Sequence, residues 1–146
     1  MTFVFDAMNE TNFLVYRSWF ASQEIRRWIE VPSLVWLQYV MHTPGIYGWM
    51  VYKDGIPLAQ LQLDTDATKT GYVGIIVNPD CHNQGLGKVI LQVFLERNEV
   101  KSLSRIVAAI ETDNTASLRC FASAGFVAQS PKPDADGFLH FVYEVP

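Results

Sequence analysis

The chain has 146 residues, enough for one domain built around a single apolar core, and 49% of them are hydrophobic. Its formal charge of −4 comes from 15 acidic residues against 11 scattered basic ones, so no basic face is on offer to a phosphate backbone and nucleic acid is excluded as the expected partner. No apolar run approaches the ~20 residues that cross a bilayer, and the start, with Asp6, Asn9 and Glu10, lacks a signal-peptide pattern; a soluble, cytoplasmic protein is expected.

Thr2 to Ala7 reads as a strand. Beyond Asn9, a good helix cap, Phe13, Tyr16 and Phe20 follow helical spacing, as do Ile25, Trp28 and Ile29 beyond Ser22, and Leu34, Leu37 and Met41 after Ser33. Pro44-Gly45 ends the helical pattern. Ile46 to Lys53 and Pro57 to Leu63 then form a hairpin about Asp54-Gly55, followed by a polar loop, Asp64 to Lys69, and a third strand, Gly71 to Val77. From Leu86 the period is helical again, with Leu86, Val89, Ile90, Val93 and Phe94 on one stripe. Ile106 to Ile110 is a continuous apolar run suited to a strand covered on both faces, so the order strand, helix, strand implies local parallel pairing. A helix after Asn114 closes at Gly125, and Phe126 to Ser130 and Phe138 to Val145 complete the strands. The expected class is mixed α/β, one domain over residues 1–146. The two cysteines, Cys81 and Cys120, lack metal-ligand spacing and are expected to be free thiols, with no metal site.

The segment Ile75-Ile76-Val77-Asn78-Pro79-Asp80-Cys81-His82-Asn83-Gln84-Gly85-Leu86-Gly87-Lys88 is a strand, a glycine-bearing turn and a helix start. Glycines allow close approach of a ligand, and the N–H groups of a first helical turn attract an anion such as a pyrophosphate. A Walker loop would need Gly at His82 and Ser or Thr at Val89, and a Rossmann loop a small residue at Ile90, so neither fits.

The segment resembles motif A of the GNAT superfamily of N-acetyltransferases: Val77 and Pro79, then Gly85, Leu86 and Gly87, with His82 where Arg or Gln is usual. Asn114 through Ser117 to Phe121, then Gly125-Phe126, resembles the family's motif B. Local similarity is greatest to its aminoglycoside and ribosomal-protein acetyltransferase branches. The resemblance implies a mostly antiparallel sheet of six to seven strands, splayed at a parallel pair that admits acetyl-CoA, with four to five flanking helices. It also implies that the backbone of Ile75, Ile76 and Val77 pairs with the pantetheine arm. The amides of Asn83, Gln84, Gly85, Leu86, Gly87 and Lys88 would hold the pyrophosphate, His82 could donate to a phosphate, and Asn114 and Phe121 would lie at the cofactor. Asn114 also reads as a helix cap, and Lys88 as a solvated lysine.

Acetyl transfer to an amine needs a neutral nucleophile and a proton for the departing thiolate. The family often takes that proton from a motif-B tyrosine, but the matching position is Phe121, which has none to give. Tyr72, Cys120, Tyr143 or water are the alternatives. No carboxylate falls on Gly71 to Val77, which leaves Glu111 as the nearest base, with Asp64 and Asp66 in their loop and His140 read as structural. Trp19, Trp28, Trp36 and Trp49 read mainly as core. The expected partners are acetyl-CoA and a small amine, with a homodimer permitted. An acyl-CoA sensor of the same fold with little turnover is the other class, motivated by Phe121.

Overall fold

The computed structural model describes residues 2–146. The chain folds as two compact units: residues up to Asp64 with Gly74–Leu86, and Thr65–Val73 with Gly87–Pro146. Among the described residues seven strands follow the order β1-β2-β3-β4-β5-β7-β6, namely β1 (Val4–Ala7), β2 (Ile46–Lys53), β3 (Ile56–Thr65), β4 (Thr70–Val77), β5 (Arg105–Glu111), β6 (Val127–Ala128) and β7 (Phe138–Glu144). β4 and β5 are the parallel pair and run side by side over Thr70–Tyr72 and Arg105–Val107. This is the mixed, mostly antiparallel class expected from the sequence.

In the first unit, α1 (Glu10–Ser18) starts at Asn9. Asn9 Oδ1 accepts from Thr11 and Asn12 N–H at 2.9 Å each, and Asn12 Oδ1 accepts from Asn9 N–H at 2.8 Å, so three N–H donors at the helix start are satisfied. A 3-10 turn and α2 (Gln23–Arg26) lead to α3 (Leu34–His42), capped by the Ser33 hydroxyl on Trp36 N–H at 3.2 Å. Phe13, Tyr16, Phe20, Leu37, Val40 and Met50 belong to one buried cluster that joins these helices to β2. Gly48 lets α3 seat there: a Cβ on it would stand 2.5 Å from Val40 Cγ1 and 2.9 Å from Met8 Cγ. Asp54 and Gly55, both at positive φ, close the β2–β3 hairpin, as the Asp-Gly pair predicts.

The β3–β4 register follows from two bonds, Asn78 N–H to Leu58 C=O at 2.8 Å and Asp66 N–H to Thr70 C=O at 3.0 Å. Antiparallel geometry then sets Gln62 opposite Gly74 and Gln60 opposite Ile76. Because N–H and C=O of alternate residues point to opposite edges, those of Ile75 and Val77 point away from β3.

In the second unit, α4 (Leu86–Phe94) buries Ile90, Leu91 and Phe94, and α5 (Asn98–Lys101) buries Val100. β5 pairs with β7 from Arg105↔Glu144 to Glu111↔Phe138. α6 (Thr115–Ser123) ends at Gly125, φ 102°, where Phe126 N–H returns to Phe121 C=O at 3.0 Å.

Some boundaries differ from expectation. β3 runs on to Thr65, so Asp64 is a strand residue paired with Ile46 and not part of a loop. α2 stops at Arg26, short of Trp28 and Ile29; the Arg27 guanidinium instead lies 4.6 Å above the Trp28 ring, and Pro32 bars a helix through Val31. β6 has two residues where five were expected: Phe126 N–H is spent on Phe121 C=O in the α6 cap, and beyond Gln129, whose N–H still reaches His140 C=O at 2.8 Å, Pro131 and Pro133 cannot extend the ladder. Among the described residues the short helix α5 raises the number of α-helices to six.

Candidate active site

β4 ends at Val77, and Asn78 fixes the turn beyond it. Its side chain donates to Pro57 C=O at 2.8 Å and accepts from Asp80 N–H at 3.0 Å, and the residue is buried. A 3-10 turn, Pro79–Cys81, carries the chain to Asn83 and Gly85, which both adopt positive φ, 63° and 71°. Residues with positive φ between ordinary ones turn successive N–H groups to one side, as anion-binding nests do. A Cβ on Gly85 would meet nothing within 4 Å, so the turn is open there. Among the described residues no side chain bonds the N–H groups of residues 84–88, where α4 begins. These N–H groups, at the positive end of a nine-residue helix, are the ones the sequence assigns to an anion. Lys88 is exposed beside them.

His82 turns the other way. Its Nε2 lies 3.0 Å from Val77 C=O and its Nδ1 3.5 Å from Glu24 Oε2 on α2. The ring thus ties the turn to both elements, and it engages the Val77 carbonyl that was expected to meet the pantetheine. Ile75 N–H and C=O and Val77 N–H remain as the outward-pointing backbone groups of the strand end.

The catalytic candidates lie in the second unit. Tyr72 is exposed, and its hydroxyl is 3.5 Å from Asp66 Oδ2. Asp66 caps its own turn: Oδ1 accepts from the Thr68 hydroxyl at 2.6 Å and from Thr68 and Thr70 N–H at 2.9 and 3.2 Å. These bonds, the Thr68 hydroxyl foremost, hold its carboxyl below the usual range and give it a structural task. Burial pushes the Cys120 thiol up to about 11. Phe121 is 3% exposed and packs edge-on to Phe126, which leans on Tyr143, with ring centroids 5.1 and 5.6 Å apart. The structure brings Phe121 and Tyr143 together through Phe126. Tyr143 is half-buried, and among the described residues nothing bonds its hydroxyl; the same holds for the Glu111 carboxylate at the end of β5. Asn114 caps α6, its Oδ1 accepting Ser117 N–H at 3.3 Å. His140 pairs with Asp134 at 2.7 Å in the β6–β7 hairpin, consistent with a structural role.

One arrangement escaped the sequence reading. On β3, Gln62 Oε1 accepts the Trp36 indole N–H at 3.0 Å, Gln62 Nε2 donates to Asp64 Oδ1 at 2.9 Å, and the Tyr39 hydroxyl donates to Asp64 Oδ2 at 3.2 Å. The alternation Gln60, Gln62, Asp64 was the available signal, but it reads as an ordinary polar strand face until α3 is laid over it.

Residues 13–126 match the acetyltransferase (GNAT) family. The uncharacterized N-acetyltransferase YfmK of Bacillus subtilis (strain 168) is 33% identical over 140 residues, 94% of each chain. Among solved structures, AAC(6')-Ib in complex with paromomycin and acetyl-CoA superimposes with TM-score 0.82 at 17% identity, covering 99% of this chain and 94% of that one. Spermidine N-acetyltransferase from Vibrio cholerae in complex with CoA and spermine gives 0.81 at 12% identity, covering 98% and 95%. Motif positions, fold and family match agree, and the chain belongs to the acetyltransferase (GNAT) family.

Proposed function

We propose that the protein is an acetyl-CoA-dependent N-acetyltransferase acting on a primary amine of a small molecule. The observation that carries this reading is the turn after β4, where Asn83 and Gly85 at positive φ lead into unspent amide donors at the start of α4. The pyrophosphate binds those amides, and the pantetheine amides pair with Ile75 N–H and C=O and Val77 N–H, in the manner of a strand added to an edge.

The neutral amine nitrogen attacks the thioester carbonyl carbon directly; a C–N bond forms, the C–S bond breaks, the ammonium proton leaves and the thiolate takes one up. The acid is Tyr72, Tyr143 or water: burial pushes the Cys120 thiol up, and Phe121 has no proton to give. Glu111, half-buried and uncommitted, is the base we assign. Neighbouring structures hold an aminoglycoside or spermine, which supports a small amine as acceptor. A cytoplasmic location suits a chain with two free thiols.

The test is thiol release from acetyl-CoA against monoamines, polyamines, aminoglycosides and basic peptides, with acetyl-CoA binding followed by calorimetry. Amine-dependent release supports the reading, and whichever of Tyr72→Phe and Tyr143→Phe lowers kcat about 100-fold identifies the acid. Tight acetyl-CoA binding without release by any amine favours the sensor, to which the buried phenyl ring of Phe121 points. Absence of acetyl-CoA binding defeats both.

A further inference from the structure

We infer that Asp64 is the anchor for a second ammonium group on the acceptor, so that the preferred substrate carries two amines and not one. This rests on the N-acetyltransferase reading and names the substrate class of that site.

Gln62 and Asp64 lie opposite Gly48 and Ile46, on the face of the sheet that α3 covers, yet this part of the face is polar. The indole of Trp36 holds Gln62, Gln62 holds Asp64 Oδ1, and Tyr39 holds Asp64 Oδ2. Both carboxylate oxygens are fixed by neutral donors. Among the described residues no Lys, Arg or His pairs with Asp64, so a half-buried negative charge is held in place without a cation, although its oxygens retain lone pairs to bind one. Trp36 and Tyr39, three residues apart on α3, lie on one side of the helix, and aromatic faces beside a carboxylate also favour an ammonium.

Space exists on the adjoining strand. Gly74 sits opposite Gln62, is exposed, and would carry a Cβ with nothing within 4 Å. A pantetheine arm laid along Val77 and Ile75 from the anion turn brings the thioester toward Gly74. An amine attacking there lies diagonally across from Asp64, and diagonal neighbours on adjacent strands are roughly 7–8 Å apart. An aliphatic diamine or polyamine, or an aminosugar with a second amine at that spacing, spans it.

The experiment compares KM for spermidine, for an aminoglycoside and for a monoamine of matched length, in the native protein and in Asp64→Asn and Tyr39→Phe. Asp64→Asn should erase the preference for diamines over the monoamine, raising the diamine KM about 10- to 100-fold relative to the monoamine value, as loss of a charge-assisted bond does. Tyr39→Phe, which removes one exposed hydroxyl, should do so in part. Asp136→Asn in the β6–β7 loop is the control with no change. Which diamine shows the effect separates aliphatic polyamine from aminosugar. If no amine is turned over, spermidine titrated calorimetrically into the acetyl-CoA-loaded protein decides the matter separately: Asp64-dependent binding supports the subsite while the enzymatic reading fails. Equal KM changes for mono- and diamines, or spermidine binding indifferent to Asp64, overturn the inference.

Discussion

Gly48→Ala should destabilise the fold by overpacking, and two contacts set the size of the effect. The new Cβ would lie 2.5 Å from Val40 Cγ1 and 2.9 Å from Met8 Cγ, where carbon atoms prefer about 3.5–4.0 Å. Val40 is 5% exposed and on α3, and Met8 is equally buried, so neither swings into solvent; α3 has to move outward or the side chains leave their preferred rotamers. Such insertions cost about 1–3 kcal/mol. Replacing glycine also stiffens the unfolded chain, which offsets about 0.4–1 kcal/mol. The net loss is about 1–2 kcal/mol, and with a urea m-value of about 2 kcal/mol/M the midpoint should fall by about 0.5–1 M. Gly74→Ala is the counterpart: nothing lies within 4 Å, so its midpoint should hold or rise slightly, while acetyl transfer to amines should weaken as the Cβ occupies the open position beside Gln62. Equilibrium urea unfolding of both variants is the assay. An unchanged midpoint in Gly48→Ala would refute the close seating of α3 on β2.

Gly85→Ala meets no neighbour but places an L residue at φ 71°, which costs about 1–2 kcal/mol. If the turn relaxes to relieve it, acetyl-CoA affinity should fall about 5- to 30-fold by calorimetry; unchanged affinity would remove this turn from the site. Cys120, with its thiol pushed up to about 11, should be about one part in a thousand thiolate at pH 8 and alkylate slowly with iodoacetamide; modification at the rate of a free thiol would contradict its burial. Asp134 is held below the usual carboxylate range by Phe138 N–H first, then by the His140 ring and Asp136 N–H. A depressed carboxyl stabilises above its unfolded value near 4 and loses that contribution as pH falls through the folded value, so the β6–β7 loop should loosen only in acid. Amide exchange at Phe138 and Asp136 reports it, and protection that stays constant down to pH 2 would count against the cap.

What the sequence made legible was local. Two glycines after a Val-x-Pro strand end, and an Asn that caps the helix leading to Gly-Phe, keep their meaning in any packing because backbone sterics and cap bonds set them: Gly85 takes positive φ, Asn114 caps α6, and Asp54-Gly55 turns the hairpin. Less legible was whatever depended on partners distant in sequence. Asp64 looked like the start of a loop because its partners, Tyr39 and Ile46, are 25 and 18 residues away; Tyr39 reaches it only when α3 lies over β3. His82 occupies the usual Arg or Gln position, but its ring direction is set by Glu24, from a helix whose placement no local pattern reveals. Trp36 has core spacing in the sequence, and its indole ring does touch the core cluster, while its single N–H serves the polar network. Period-2 alternation tells which residues share a face; it does not tell that a helix will bring donors to the polar one.

The most direct test of the central claim is mass-spectrometric detection of an acetylated amine together with free CoA thiol, from acetyl-CoA, the purified protein and, in separate reactions, spermidine and an aminoglycoside. With one of them, acetylated amine and thiol should appear in equal amounts, both reduced in Gly85→Ala at subsaturating acetyl-CoA and restored toward the native rate as acetyl-CoA is raised. Thiol release without an acetylated amine, or transfer at subsaturating acetyl-CoA indifferent to Gly85, would contradict it.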